Sequence, residues 1–252
     1  MEDKIQSIVR VFDILESFEK FPAGAGLTEL SKEVNLHKST VHRFLNTLIS
    51  LGYVKQDEDS KYSLTYKLYS LANTKLAGMD FIGISHEFIK NLSQDINEVV
   101  HLVTRDGIYV VYVDKIDAQN AITLNSRIGR RAPLVKTSVG KAILSFLENS
   151  EIKEIVKKTI EEGLIKKSDI KLEAFLKETE EVRKSKIAID DEENEKGIYC
   201  LGTAIINGQN KIAGAISITG PKFRIIDKDV EALKKKLLLC SQKISKNLGY
   251  LK

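Results

Sequence analysis

The feature that most constrains this chain is the run Gly26-Leu27-Thr28-Glu29-Leu30-Ser31-Lys32-Glu33-Val34-Asn35-Leu36-His37-Lys38-Ser39-Thr40-Val41-His42-Arg43. It reads as a short helix, a tight turn and a second helix that opens on small polar residues. Thr28 suits the N-cap of the first helix, which runs to about Val34, and Asn35 ends it because asparagine tolerates the left-handed conformation. Lys38 or Ser39 opens the next helix, with Val41, Phe44, Leu45, Leu48 and Ile49 as its buried stripe and Gly52 as its stop. Upstream, Ile5, Ile8, Val9, Phe12, Ile14, Leu15 and Phe18 recur at helical spacing, and Pro22, Gly24 and Gly26 break that helix. Downstream, Tyr53-Val54-Lys55 and Lys61-Tyr62-Ser63-Leu64 alternate as strands around the polar tip Asp57-Glu58-Asp59-Ser60. Three helices followed by a hairpin is the order of a winged helix-turn-helix.

A recognition helix enters the major groove by its N-terminal end, where small hydroxyl residues let the backbone approach phosphate and longer donors reach base edges. The predicted DNA-contacting set is therefore Lys38, Ser39, Thr40, His42 and Arg43, off the apolar stripe, with Lys55 and Lys61 of the hairpin as wing contacts to phosphate. The net charge of +4 is too mild to prove a nucleic-acid partner. Its placement says more, because no acid occurs between Glu33 and Asp57 while Lys38, Arg43 and Lys55 fall in that window. A chance gap in acids, or a three-helix protein-interaction module with a solvated face, is the alternative. His37 and His42 have no third ligand nearby in sequence, so no metal site is expected.

With 252 residues, the chain has room for two domains. We partition it into a DNA-binding domain over 1–65, a linker helix over 66–80 with Leu68, Leu71, Ala72 and Leu76 as its seam, and a sensor domain over 81–252. In the last, a helix over 84–96 precedes strands over 99–104, 108–114 and 121–125. Helices over 138–147, 151–160 and 170–186 follow, then strands over 199–206 and 212–219 about the turn Asn207-Gly208-Gln209-Asn210, and a helix over 227–248. Strands joined by hairpins and interrupted by helices predict an α+β fold with an antiparallel sheet. No apolar run approaches the roughly 20 residues that span a bilayer. Cys200 and Cys240 stand far apart without a CxxC spacing, which fits a reducing, cytoplasmic setting rather than a disulfide or zinc scaffold.

The chain resembles the isocitrate lyase regulator (IclR) family of bacterial transcription regulators over nearly its whole length. In the first domain the resemblance rests on Leu27-Thr28-Glu29-Leu30-Ser31, Lys38-Ser39-Thr40-Val41-His42-Arg43 and Leu51-Gly52-Tyr53-Val54. In the second it rests on Glu98-Val99-Val100-His101-Leu102, Val111-Tyr112-Val113-Asp114-Lys115, Ser126-Arg127-Ile128-Gly129-Arg130-Arg131, Gly140-Lys141-Ala142, Asp190-Asp191-Glu192-Glu193-Asn194 and Ser217-Ile218-Thr219-Gly220-Pro221. The family implies a GAF-like sensor domain, a homodimer or tetramer on a pseudo-palindromic operator, and repression or activation of catabolic operons, of which we expect repression. It implies a small carboxylate effector (a keto acid, sugar acid or aromatic acid) and no cofactor. Two departures border the implied pocket: Lys186-Ile187 replaces a common Gly-Tyr, and Ile206 stands where an aromatic is common. Effector identity is therefore not carried over.

Thr137-Ser138-Val139-Gly140-Lys141 reads as a loop entering a helix, whose N-terminal N–H groups favour an anion, or as a plain N-cap without a ligand. The resemblance places Ser138 and Val139 at an anion contact and Asp190, Cys200, Ser217 and Thr219 at the other polar positions. Ser217 and Thr219 share a strand face because they are two residues apart. An ionised, unpaired Asp190 would repel an anion, so its expected role is to accept from an effector hydroxyl or to fix a neighbouring donor. Leu124, Ile128 and Ala132 are the implied apolar wall, with ordinary core packing as the alternative. An enzyme with Cys200 as nucleophile, His101 as base and Asp190 as orienter has no local support: the sequence lacks a glycine-rich elbow, a metal-spaced His pair or a phosphate loop. The acidic run over 190–193 reads as a solvated turn.

Overall fold

In the computed structural model, which describes residues 5–76, 81–119 and 126–250, the apolar stripes converge into two units, Met1–Met79 and Asp80–Lys252. In the first unit, α1 (Gln6–Ser17), α2 (Leu27–Glu33) and α3 (Lys38–Ser50) precede the hairpin β1 (Val54–Gln56) and β2 (Tyr62–Leu64), and α4 (Lys67–Leu76) follows. Ile14, Phe18, Leu30, Val41, Leu45, Leu48, Val54 and Tyr62 form one buried cluster. Ala25 and Tyr62 exchange backbone hydrogen bonds, which adds a third short edge to the hairpin.

The helix-turn-helix owes its shape to three local devices. The N-cap of α2 is Gly26 rather than Thr28, because the Glu29 carboxylate reaches back to accept the Gly26 N–H at 2.8 Å. Asn35 adopts φ +50°, the left-handed stop its residue type suggested. Ser31 then locks the turn: its hydroxyl donates to the Leu36 carbonyl at 2.6 Å while its own carbonyl accepts from the Leu36 N–H. The start of α4 is fastened to this unit by Lys67, whose Nζ donates to the Leu51 carbonyl and lies 4.8 Å from the Tyr53 ring centre. The expected continuation of that helix past residue 76, and the side chains of Ala72 and Leu76, lie outside the described residues.

The second unit is an α+β layer structure. It contains α5 (Phe81–Ile96), β3 (Val99–Asp106), β4 (Tyr109–Ile116), β5 (Arg131–Pro133), α6 (Ser138–Leu144), α7 (Asn149–Glu161) and α8 (Leu172–Ser185). It continues with β6 (Ala188–Asp191), β7 (Ile198–Ile206), β8 (Ile212–Pro221), α9 (Lys222–Ile226) and α10 (Val230–Asn247). Among the described residues the sheet runs β5-β4-β3-β8-β7-β6, with every neighbouring pair antiparallel. Helices α5 and α10 cover one face through Ile89, Leu92, Leu237 and Ile244, packed on Val100, Leu102, Leu201, Ile216 and Ile218. Helices α6, α7 and α8 cover the other through Val139, Ile143, Ile152 and Phe175, packed on Val103, Val110 and Ala215. Helix α6 sits tightly because Gly140 lies on Leu134 and Gly202 lies on Ser138 and Val139 where a Cβ has no room. The strand expected over 121–125 lies outside the described residues. Strands β5 and β6 and helix α9 were not anticipated, and 190–191, read as part of a solvated turn, belong to β6 with Asp190 buried.

One carboxylate organises the end of this sheet. Glu98 is fully buried, accepts from Arg224 Nε and Nη2 at 2.8 and 2.6 Å, and accepts from Lys228 Nζ at 2.7 Å. A buried charge is tolerated only when it is paired and hydrogen-bonded in this way. Among the described residues, no helix is long and apolar enough to cross a membrane.

Candidate DNA-reading surface and sensor site

Helix α3 presents its leading end to solvent. Lys38, Ser39, His42 and Arg43 are exposed, Thr40 is half-buried, and Val41, Leu45 and Leu48 turn into the core. The N-cap is His37, whose side chain makes no capping bond, and the first turn holds no acid. Free N–H groups and the positive end of the helix dipole therefore meet the outside beside Lys38 and Arg43. Asn46 and Thr47, which no sequence motif singles out, share the exposed face, with the Thr47 hydroxyl donating to the Arg43 carbonyl. Lys55 and Lys61 are exposed on the hairpin, where the turn is closed by the Lys61 N–H donating to Asp57.

The candidate sensor site is assembled by strand register. Asp190 pairs with Cys200, and Cys200 with Thr219, so three residues from three strands stand in one row. In the next row Gly202 pairs with Ser217, and Ser217 with His101. The missing side chain at Gly202 admits the start of α6, which brings Ser138 and Val139 over the rows. Together Ser138, Val139, Asp190, Cys200, Ser217 and Thr219 line one cavity, joined by His101, Tyr112, Ser126, Arg130 and the loop residues Asn194 and Glu195. The cavity is small, about 30 Å³, room for about one water. Ile128 does not wall it: a turn closed by Arg130 N–H to Arg127 carbonyl leaves that side chain 62% exposed. Leu124 lies outside the described residues, and Ala132 is buried in the core under α6.

His101 fills much of this space. Its Nδ1 lies 3.3 Å from the Ser217 hydroxyl and 3.2 Å from that of Thr219, its Nε2 lies 2.8 Å from the Ser126 hydroxyl, and its ring meets Tyr112 edge-on at 5.0 Å. Burial, with Lys115 adding to it, lowers its pKa to about 3, so the ring is neutral and offers one donor and one acceptor. Burial raises the Asp190 pKa to about 6, opposed by the N–H groups of Asn194 and Glu193 that its Oδ1 accepts. Asp190 thus fixes the loop that follows it. Burial, and then the charge of Asp190, push the Cys200 thiol far up, which keeps it protonated and unsuited to nucleophilic attack.

The same loop is held from behind by Lys141. Its ammonium is buried and donates to Glu178 at 2.7 Å, to the Ile189 carbonyl at 3.0 Å and to Glu193. Burial works against its charge, yet the two carboxylates outweigh it and leave the pKa above the ordinary lysine value. No local pattern marks this role, because the carboxylate partners of Lys141 lie 37 and 52 residues away in sequence. Lys222 completes the fastening through Asp191 and Glu192.

Comparison with known proteins gives a consistent result. The family model described as the IclR helix-turn-helix domain matches residues 7–58, and the one described as the bacterial transcriptional regulator IclR C-terminal matches residues 73–246. The HTH-type transcriptional regulator KdgR of Escherichia coli (strain K12) is 34% identical over 249 residues, covering 98% of this chain and 94% of that protein. The HTH-type transcriptional regulator KipR of Bacillus subtilis (strain 168) is 27% identical over 250 residues, covering 99% of this chain and 100% of the relative. Among solved structures, the Thermotoga maritima IclR superposes with a TM-score of 0.78 at 28% identity, covering 98% of this chain and 100% of that one. A Rhodococcus sp. RHA1 structure described as a putative transcriptional regulator reaches 0.77 at 22% identity, covering 99% and 100%, and shares the fold.

Proposed function

Because the chain belongs to the IclR family of bacterial transcriptional regulators, we propose that it represses a catabolic operon by binding a pseudo-palindromic operator and that a small organic acid resets its affinity for that DNA. The observation that carries the reading is the leading turn of α3: exposed, basic, free of acids and backed by a packed three-helix core. Arg43, His42, Ser39 and Thr40 take base edges and phosphates, and Lys55 and Lys61 take backbone phosphates on the wing side. A homodimer places two such helices on two half-sites. Pairing through the first unit is supported by the uncovered apolar face of α1, where Ile5, Ile8, Val9 and Phe12 are exposed, and by Tyr69 and Leu71 of α4.

The effector enters beside His101, Ser217 and Thr219, with its carboxylate toward Ser138, Val139 and Arg130. A cavity of about 30 Å³ has no room for it, so binding displaces the loop over 191–197 that Lys141 and Lys222 hold shut. Coupling to the operator then amounts to about 1–3 kcal/mol, or roughly 5- to 150-fold. The test is calorimetric titration of the full chain with a panel of keto, sugar and aromatic acids, in the presence and absence of an operator selected from its own upstream region. By linkage, an acid that weakens DNA binding must itself bind less tightly once operator is present. Equal affinity for every acid in both states would refute the coupling.

A further inference from the structure

A larger cleft lies elsewhere in the second unit, at the sheet edge that β6 leaves open. Strand β6 pairs only as far as Ala188 opposite Gly202, so β7 continues without a strand neighbour from Thr203 to Ile206 on that side. An open edge invites another chain to add a strand. This edge is blunted instead: Ser241 of α10 donates to the Ala204 carbonyl at 2.6 Å, and Ser245 accepts the Ile206 N–H at 3.0 Å. With these two groups occupied, the edge forms one wall of a cleft of about 890 Å³ between the end of α6 and α10. That volume lies in the range of small-molecule sites, and the cleft shares no lining residue with the sensor cavity, so Lys186 and Ile206, expected beside that cavity, line this cleft instead.

The chemistry of the lining is one-sided. Phe146, 40% exposed, together with Ile206 and Leu238, supplies apolar surface; Lys186 and Lys246 supply two cations, and no acid lines the cleft. Neither lysine has a carboxylate partner among the described residues, whereas the lysines that fasten the sensor loop, Lys141 and Lys222, have two each. Lys186 also stands at φ +62°, the left-handed position that closes α8, where glycine is at ease and a long side chain is not. Its Nζ lies 5.2 Å from the Phe146 ring centre. A strained residue kept at a cleft rim, over an aromatic ring, points to a task for its side chain.

We propose that this cleft is a second ligand site, taking an amphipathic organic anion whose carboxylate meets Lys186 and Lys246 and whose apolar body lies on Phe146, Ile206 and Leu238. The probe is 2-naphthoate, titrated calorimetrically into the full chain, with the neutral 2-naphthamide as its control. Saturable naphthoate binding is expected, weakened by salt and about five- to tenfold weaker for the amide. The double variant Lys186→Gly/Lys246→Gln should lose the same factor, because two exposed ion pairs disappear. Lys186→Gly relaxes the backbone, so an unchanged or raised unfolding midpoint separates lost binding from lost folding. Ser217→Ala, in the sensor cavity, should leave the Lys186- and Lys246-dependent part of naphthoate binding as it was. Equal affinity for acid and amide, or binding that follows Ser217→Ala rather than the lysines, overturns the proposal. So does a double variant whose sedimentation mass changes while its probe affinity does not, since the cleft then serves self-association.

Discussion

Replacing Asp190 by asparagine removes one buried ionisation while keeping an acceptor in place for the Glu193 and Asn194 N–H groups. The carboxyl is 3% exposed, and burial lifts its pKa from 3.8 to about 6. A carboxyl that is harder to ionise in the folded chain stabilises the fold below the unfolded value and loses that contribution as pH rises through the folded one. Between those limits the cost of ionising it grows to about 3 kcal/mol at 1.36 kcal/mol per pH unit. The variant escapes that cost but offers the Glu193 and Asn194 N–H groups a neutral, weaker acceptor, so a net gain of about 1–3 kcal/mol is expected at pH 8. At pH 4 the gain should vanish. The assay is urea unfolding of parent and variant from pH 4 to 8, read as the difference in free energy at each pH. His101 titrates in both proteins and cancels in that difference. A difference that stays flat across the range would show that burial does not hold the Asp190 carboxyl above its ordinary pKa.

Other perturbations probe the packing and the buried charges. Gly140→Ala puts a methyl carbon 2.0 Å from the Leu134 carbonyl oxygen, so the second unit should lose about 1–3 kcal/mol or more in urea; an unchanged midpoint would contradict the seating of α6. Glu98→Gln leaves Arg224 and Lys228 without their shared buried anion and should cost about 2–4 kcal/mol, seen as a lowered thermal midpoint; a loss below about 0.5 kcal/mol would show the cluster to be solvated. His101→Gln should be relatively less acid-sensitive than the parent. The neutral ring resists protonation down to about 3, so the parent loses about 3 kcal/mol between pH 6.5 and 4 that the variant keeps; parallel profiles would place the histidine in water.

What the sequence made legible follows the range of the forces involved. In the first unit the decisive signals are local: the Val41, Leu45 and Leu48 stripe, Asn35 at positive φ, and Gly52 closing α3 at φ +77°. Thr28 has the side chain of an N-cap, yet Gly26 takes that place because the Glu29 carboxylate reaches back to its N–H. In the second unit, β3, β4, β7 and β8 are legible from stretches of six to eight residues and extend to eight to ten in the structure. Strands β5 and β6, three and four residues long, carry no such pattern and exist because a neighbour pairs with them. The cavity shows the same divide. Ser217 and Thr219 share a face by simple alternation, but the row Asp190–Cys200–Thr219 depends on register between distant segments. His101 enters it from a strand 116 residues away from Ser217. Ile128 points outward because a turn, not a strand, carries it.

The central question for this protein is whether the exposed end of α3 reads DNA. Fluorescence anisotropy with a duplex selected from random sequence, and with an unrelated duplex, measures this for the parent, Arg43→Ala and Lys55→Ala. Arg43→Ala should weaken the selected duplex by about 1–3 kcal/mol and the unrelated one far less. Lys55→Ala should weaken both alike and lower the salt slope by about one. Undiminished affinity of Arg43→Ala for the selected duplex, or the failure of any sequence to be selected, would contradict the account.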